Sequence, residues 1–142
     1  FIGHQGAAAV LPGDDEGRII MVRQYRPALD RFTLEIPAGG LAGADEPTME
    51  AAARELSEET GFVSDHLELL ISIRTTVAFC NEKIDIYLAD RLLPGKQHLD
   101  EDEYVQVKAY SVEELTGKIF SGEIQDSKTV AAILAYKDKY LR

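Results

Sequence analysis

Residues 40–62 read Gly-Leu-Ala-Gly-Ala-Asp-Glu-Pro-Thr-Met-Glu-Ala-Ala-Ala-Arg-Glu-Leu-Ser-Glu-Glu-Thr-Gly-Phe, and no other segment constrains the chain as much. Pro47 suits the first turn of a helix, Met49, Ala52, Ala53 and Leu56 form its apolar stripe, and Gly61 supplies its stop. On a helix of 3.6 residues per turn, Glu55, Glu58 and Glu59 face nearly the same way. Like charges at that spacing destabilise a helix by roughly 0.2–0.5 kcal/mol per pair. Between Pro47 and Thr60 the only cation is Arg54, against Glu50, Glu55, Glu58 and Glu59. Pairing Arg54 with Glu58 or Glu50 leaves Glu55 and Glu59 without a local partner. A hard divalent cation, which prefers carboxylate oxygens, fills that role; a solvated acidic face is the plainer alternative.

The spacing favours the cation. Gly40, Glu46, Arg54, Glu55, Leu56, Glu58, Glu59, Gly61 and Phe62 stand in the order Gly, five residues, Glu, seven residues, Arg-Glu-Leu-x-Glu-Glu-x-Gly-Phe. Nine fixed positions specify far more than a short glycine motif does. The pattern resembles the Nudix box, and the chain is similar to that family of diphosphate hydrolases. The resemblance implies Mg²⁺ or Mn²⁺ as cofactor, with Glu55, Glu58 and Glu59 as metal ligands. It also implies a backbone carbonyl ligand just before the box, from Ala38 or Gly39. Gly40, Arg54 and Gly61 read as structural members of the box, Arg54 by locking Glu58. Glu46 reads as a helix-capping carboxylate, favourable at the positive end of the helix dipole.

Composition narrows the class. With 142 residues and 45% hydrophobic content, the chain fits one domain with a single core. A formal net charge of −10 argues against nucleic-acid and anionic-membrane partners. It does not exclude an anionic substrate, because bound cations invert the local sign. Cys80 is the sole cysteine, so no internal disulfide forms and a cytoplasmic location is expected. His4, His66 and His98 lack ligand spacing, so zinc is not expected. No stretch approaches the roughly 20 apolar residues that span a bilayer, and no signal peptide is visible.

Strands are predicted at Ala7–Leu11, Arg18–Tyr25, Thr33–Ile36, Leu67–Thr76, Lys83–Ala89 and Tyr104–Tyr110, with 92–98 as loop. Helices are predicted at Val112–Phe120 and from Asp126 or Ser127 to Lys139, the last burying Val130, Ile133, Leu134 and Tyr140. Mixed strands flanked by helices make an α/β protein, in agreement with the Nudix fold the resemblance implies: an α/β/α sandwich on a mixed central sheet.

Outside the box, Arg23-Gln24-Tyr25-Arg26, Glu35-Ile36-Pro37-Ala38-Gly39 and Phe79-Cys80-Asn81-Glu82 resemble the ADP-ribose and nucleoside diphosphate sugar hydrolases of the family. That likeness implies a nucleotide-sugar substrate, and AMP and ribose 5-phosphate as products from ADP-ribose. It implies a general base on a loop after the box, where Glu101 matches as base and Glu103 as a helper near the metal. Arg26 matches a phosphate- or ribose-gripping position, with Arg23 beside it or merely paired on the surface. Glu35 is either a ribose or base contact or an edge-strand residue, and Glu82 is a further acidic neighbour. Thr75-Thr76-Val77-Ala78 stands where many such enzymes carry Ser-Pro-Gly, so the loop facing the substrate is expected to differ. The group tends to form homodimers through an N-terminal β subdomain, which is expected to be missing before Phe1. The alternatives are a nucleotide sensor without turnover, and a hydrolase of GDP-mannose, NADH or oxidised nucleoside triphosphates.

Overall fold

The apolar runs form strands where the sequence predicts them: β1 (Ala7–Pro12), β2 (Ile19–Arg26) and β3 (Arg31–Glu35). The chain then adds β4 (Ala38–Gly40), α1 (Thr48–Thr60), β5 (Phe62–Val63), β6 (His66–Arg74) and β7 (Lys83–Asp90). β8 (Leu93–Pro94), β9 (Gln106–Tyr110), α2 (Val112–Phe120) and α3 (Ser127–Tyr140) follow. The computed structural model describes residues 6–75, 82–95 and 106–141. Glu101, Glu103 and Cys80, and the first two residues of the strand predicted at 104–110, lie outside them.

The central sheet has the order β4-β1-β7-β6. β1 runs parallel to β7 and antiparallel to β4, and β6 is antiparallel to β7, so the sheet is mixed. Every residue of β1 is buried, as expected of a strand covered on both faces. Its alternation sorts the two faces: Ala8 and Val10 pack with Ala51, Ala52 and Leu56 of α1. Ala7, Ala9 and Leu11 join Val112 and Leu115 of α2 and Ala132 and Ile133 of α3. One helix on one face and two on the other make the expected α/β/α sandwich. A second sheet, β3-β2-β9, is antiparallel throughout and contributes Ile19 and Met21 to the same core.

α1 buries small side chains, Ala51 and Ala52, beside Leu56 and Thr60, which lets it lie close on β1. Met49, expected in that stripe, is exposed in the first turn. Pro47 is the N-cap residue rather than the first helical one, and it offers no side-chain cap. Asp85 of β7 stands nearby instead: it accepts from Thr48 Oγ1 at 2.8 Å and from Ser72 Oγ at 2.7 Å. A carboxylate there favours the positive end of α1. Thr48→Val is expected to lower stability by about 1 kcal/mol, measured by urea denaturation.

Gly61 ends α1 at φ 78°, in the left-handed region, its N–H donating to Ser57 O, as the sequence predicts. Three readings need correction. Residues 93–94, expected within a loop, pair with Phe62–Val63 as β8. Gly39-Gly40, not predicted as strand, pair with Ala8 and Ala7, because two-stranded pairing uses only backbone groups. Tyr140, expected buried, is exposed and donates its hydroxyl to Glu68, which lets the ring end stay in water.

Candidate active site

α1 delivers its carboxylates to the short strand β4. Glu59 Oε2 accepts from Ala38 N at 3.3 Å. Glu55 lies against Gly39 so closely that a Cβ added there would sit 2.2 Å from Glu55 Oε1. Both carboxylates are half-buried. Glu58 is different: its side chain is 58% exposed. The expected trio is therefore an inward pair with one outward neighbour. The helix explains it, because Glu59 lies about 40° from Glu55 around the axis while Glu58 lies about 60° away on the other side. β4 meets the helix on the side of Glu59.

Burial raises the Glu55 carboxyl above its usual range, and the charge of Glu58 adds to the effect. Glu59 is pushed up to about 7, chiefly by burial and then by the charge of Glu55. Two carboxylates held together at this cost are what a cation relieves. Among the described residues no three His, Cys, Asp or Glu side chains form a ready-made cage. Mg²⁺ does not need one, since it is commonly held by one or two carboxylates, waters and substrate phosphates. The donor set, hard oxygens beside a strand with no Cβ in the way, fits such an ion.

Arg54 forms the expected ion pair with Glu58, but at 4.0 Å that pair is the longest of its contacts. Glu55, expected to lack a local partner, lies 3.6 Å from Nη2, and the closest partners are Glu46 and the carbonyl of Gly40, the latter at 3.0 Å from Nη2. Glu46, expected to cap the helix, accepts from Ala42 N at 2.7 Å and grips Arg54. Together they staple residues 40–46 to α1, because both partners reach backbone groups that the loop leaves unpaired. The steric demand falls on Gly39 rather than Gly40, where a Cβ meets nothing within 4 Å.

Glu82 accepts from Thr75 Oγ1 at 2.8 Å and lines a cavity of about 330 Å³ with Ala38, Gly39, Gly40 and Lys128. A second cavity, about 390 Å³, is lined by Arg26, Arg31, Glu35, Gln125, Asp126 and Lys128. Arg23 is not among its lining residues; its guanidinium lies 4.1 Å over the Phe32 ring and bonds Gln106 Oε1. Glu35 is buried and its oxygens are already engaged, by Arg26 Nε at 2.8 Å and Nη2 at 2.7 Å, by Thr33 Oγ1, and by Lys128 Nζ at 2.9 Å. That occupancy suits holding Arg26 better than contacting a ribose.

Burial by itself raises the Glu35 carboxyl, but the bonds from Arg26 and Thr33 and the charge of Lys128 overcome it and hold it at about 2. A carboxyl depressed below its ordinary 4.5 stabilises the fold above that pH. This contribution is lost as pH falls from about 4.5 towards 2. Urea denaturation between pH 6 and 2.5 is therefore expected to give a shallower acid loss for Glu35→Gln, which starts from lower stability.

Lys128 and Asp126 were not singled out by the motifs. A lysine in the first turn of a helix opposes the helix dipole, and that local conflict is the signal that would have flagged it. Asp126 caps α3 and also accepts from Lys128 Nζ at 2.8 Å. Thr129, fully buried, accepts from Ile36 N at 3.1 Å and so ties α3 to the chain entering β4. No helix among the described residues is long and apolar enough to cross a membrane.

Comparison with known proteins bears on the family and the fold. Residues 3–133 match the NUDIX domain family. The chain is 42% identical to an ADP-ribose pyrophosphatase of Bacillus subtilis (strain 168) over 135 residues, covering 94% of this chain and 72% of that one. It is 40% identical to a methanol dehydrogenase activator of Bacillus methanolicus, with the same coverage. It is 36% identical to an ADP-ribose pyrophosphatase of Mycobacterium tuberculosis (strain ATCC 25618 / H37Rv), covering 94% of this chain and 66% of that one. In structure it resembles a crystallised ADP compounds hydrolase at a TM-score of 0.84 and 23% identity, over 94% of this chain and 71% of that one. The chain belongs to the Nudix hydrolase family and is a Nudix pyrophosphohydrolase.

Proposed function

We propose that the protein hydrolyses the pyrophosphate bond of ADP-ribose or a related nucleoside diphosphate sugar, giving AMP and ribose 5-phosphate from ADP-ribose. The observation that carries the reading is the pair Glu55 and Glu59, held against β4 with raised proton affinity beside a glycine that leaves them room. Relatives at 42% and 36% identity named as ADP-ribose pyrophosphatases support the substrate class.

Glu55 and Glu59 would hold Mg²⁺ or Mn²⁺, with Glu58 joining from its exposed position and the Ala38 carbonyl, or that of Gly39, completing the shell. The bound ion would neutralise phosphate charge and make water more acidic. Arg26 grips a phosphate with the guanidinium edge that Glu35 does not use, and Glu82 borders the neighbouring cavity beside Ala38 and Gly39. Glu101 takes the proton of the attacking water and Glu103 assists it; both assignments come from the sequence. The domain works as a homodimer in the cytoplasm.

The test is incubation with ADP-ribose and Mg²⁺, with chromatography of the products beside GDP-mannose, NADH and 8-oxo-dGTP as competitors. AMP and ribose 5-phosphate in equal amounts are expected. Tight binding of ADP-ribose without product would replace the enzyme reading with a sensor.

A further inference from the structure

Lys128 stands on the wall shared by the two cavities, lining both. Its side chain is only 14% exposed, and its ammonium bridges Glu35 Oε1 at 2.9 Å and Asp126 Oδ2 at 2.8 Å. Glu35 Oε1 also accepts from Arg26 Nη2, and Oε2 accepts from Arg26 Nε. A chain of charge-assisted hydrogen bonds therefore runs from the first turn of α3, through a buried carboxylate, to the end of β2. Such bonds are stronger and more directional than neutral ones.

The geometry at Arg26 gives this chain a purpose. Glu35 takes the Nε–Nη2 edge of the guanidinium, while the side chain stays 44% exposed on the larger cavity. The opposite edge is the one an incoming anion meets. Where that edge points depends on where Glu35 sits. Glu35 is held by Lys128 on Oε1, the oxygen Arg26 Nη2 shares, and by Thr33 on Oε2. Asp126 in turn fixes Lys128, and Asp126 is itself anchored as the cap of α3, accepting from Thr129 N and Oγ1. Burying a lysine for packing alone makes little sense when its charge must then be neutralised.

We infer that Lys128 is a positioning residue for the reaction: by gripping Glu35 from α3, it aims the free edge of Arg26 at the phosphates of the substrate. The inference rests on the proposed phosphate contact of Arg26. It predicts that Lys128 matters for binding through Arg26 and not through any contact of its own.

The experiment is steady-state kinetics with ADP-ribose and Mg²⁺ on Lys128→Met, Lys128→Arg, Arg26→Ala and the Arg26→Ala/Lys128→Met double variant. Binding of ADP to the same proteins by calorimetry runs in parallel. Lys128→Met is expected to raise KM about tenfold with little change in kcat, and Lys128→Arg to recover most of the loss. Arg26→Ala is expected to raise KM at least as much, and Lys128→Met to add nothing on top of it. A normal KM in Lys128→Met beside a raised one in Arg26→Ala overturns the positioning role and leaves the Arg26 contact standing. A normal KM in Arg26→Ala overturns the contact and the inference with it. Additive losses in the double variant also overturn it, since Lys128 would then act independently. Should wild type bind ADP yet leave ADP-ribose intact, the substrate reading fails, and the calorimetric cycle still decides the coupling. Where circular dichroism shows Lys128→Met unfolded, Lys128→Gln is judged by the same outcomes.

Discussion

Glu59→Gln is expected to lower kcat for ADP-ribose by about 10³-fold at saturating Mg²⁺ while the metal-free protein becomes more heat-resistant. The opposed signs are the point. Glutamine keeps the shape of Glu59 and still accepts from Ala38 N, but it carries no charge for a divalent ion. In the metal-free protein the charged form of Glu59 is the strained one, held down by burial and by Glu55, so removing the charge relieves the fold. Thermal melts in EDTA read the stability, and a coupled phosphate assay reads kcat. Near-normal turnover in this variant would remove Glu59 from the metal site. A lower melting temperature with normal secondary structure would instead say that its charge stabilises the fold.

Gly39→Ala is expected to cost about 10² in kcat/KM with only a small loss of stability, because misplacing a reacting group by about 1 Å costs about that much. The added methyl carbon would occupy space 2.2 Å from Glu55 Oε1, and the carboxylate, at the far end of a flexible side chain, has to swing away. Gly40→Ala is the matched control: its Cβ meets nothing within 4 Å, and activity is expected to hold within about threefold. Equal losses in both variants would show that β4 needs glycine for some reason other than room for Glu55.

Much of the fold was legible because it rests on periodicity. The continuous apolar character of Ala7–Leu11 and Ile19–Val22 reflects burial in strands, which a linear pattern records directly. Helix α1 was legible from its stripe and from Gly61. β4, β5 and β8 were not, since strands of two or three residues carry no periodicity and exist only where a partner backbone offers itself. Met49 and Tyr140 misled for a related reason: helical spacing says which residues share a face, not how far the neighbouring layer extends under it.

At the site, the spacing of Glu55, Glu58 and Glu59 already announced an acidic cluster without enough local cations. It did not distinguish the inward pair from outward Glu58, because that depends on where β4 crosses the helix. Arg54 was read as the partner of Glu58 from its place four residues earlier, and that pair forms at 4.0 Å, yet its shorter contacts go to Glu46, eight residues away, and to the Gly40 carbonyl. An ion pair four residues apart is worth only a few tenths of a kcal/mol, so a loop offering a better-shielded carboxylate and a backbone oxygen wins it.

By itself, the order of residues determined the layered α/β architecture, the acidic helix and the family, since each is written in short-range spacing. Only the tertiary structure decided which glutamates turn inward, why Gly39 has no side chain, and that Lys128 and Glu35, 93 positions apart, share one hydrogen bond. Local sequence fixes the directions of neighbouring side chains. Packing of distant segments fixes what those side chains meet.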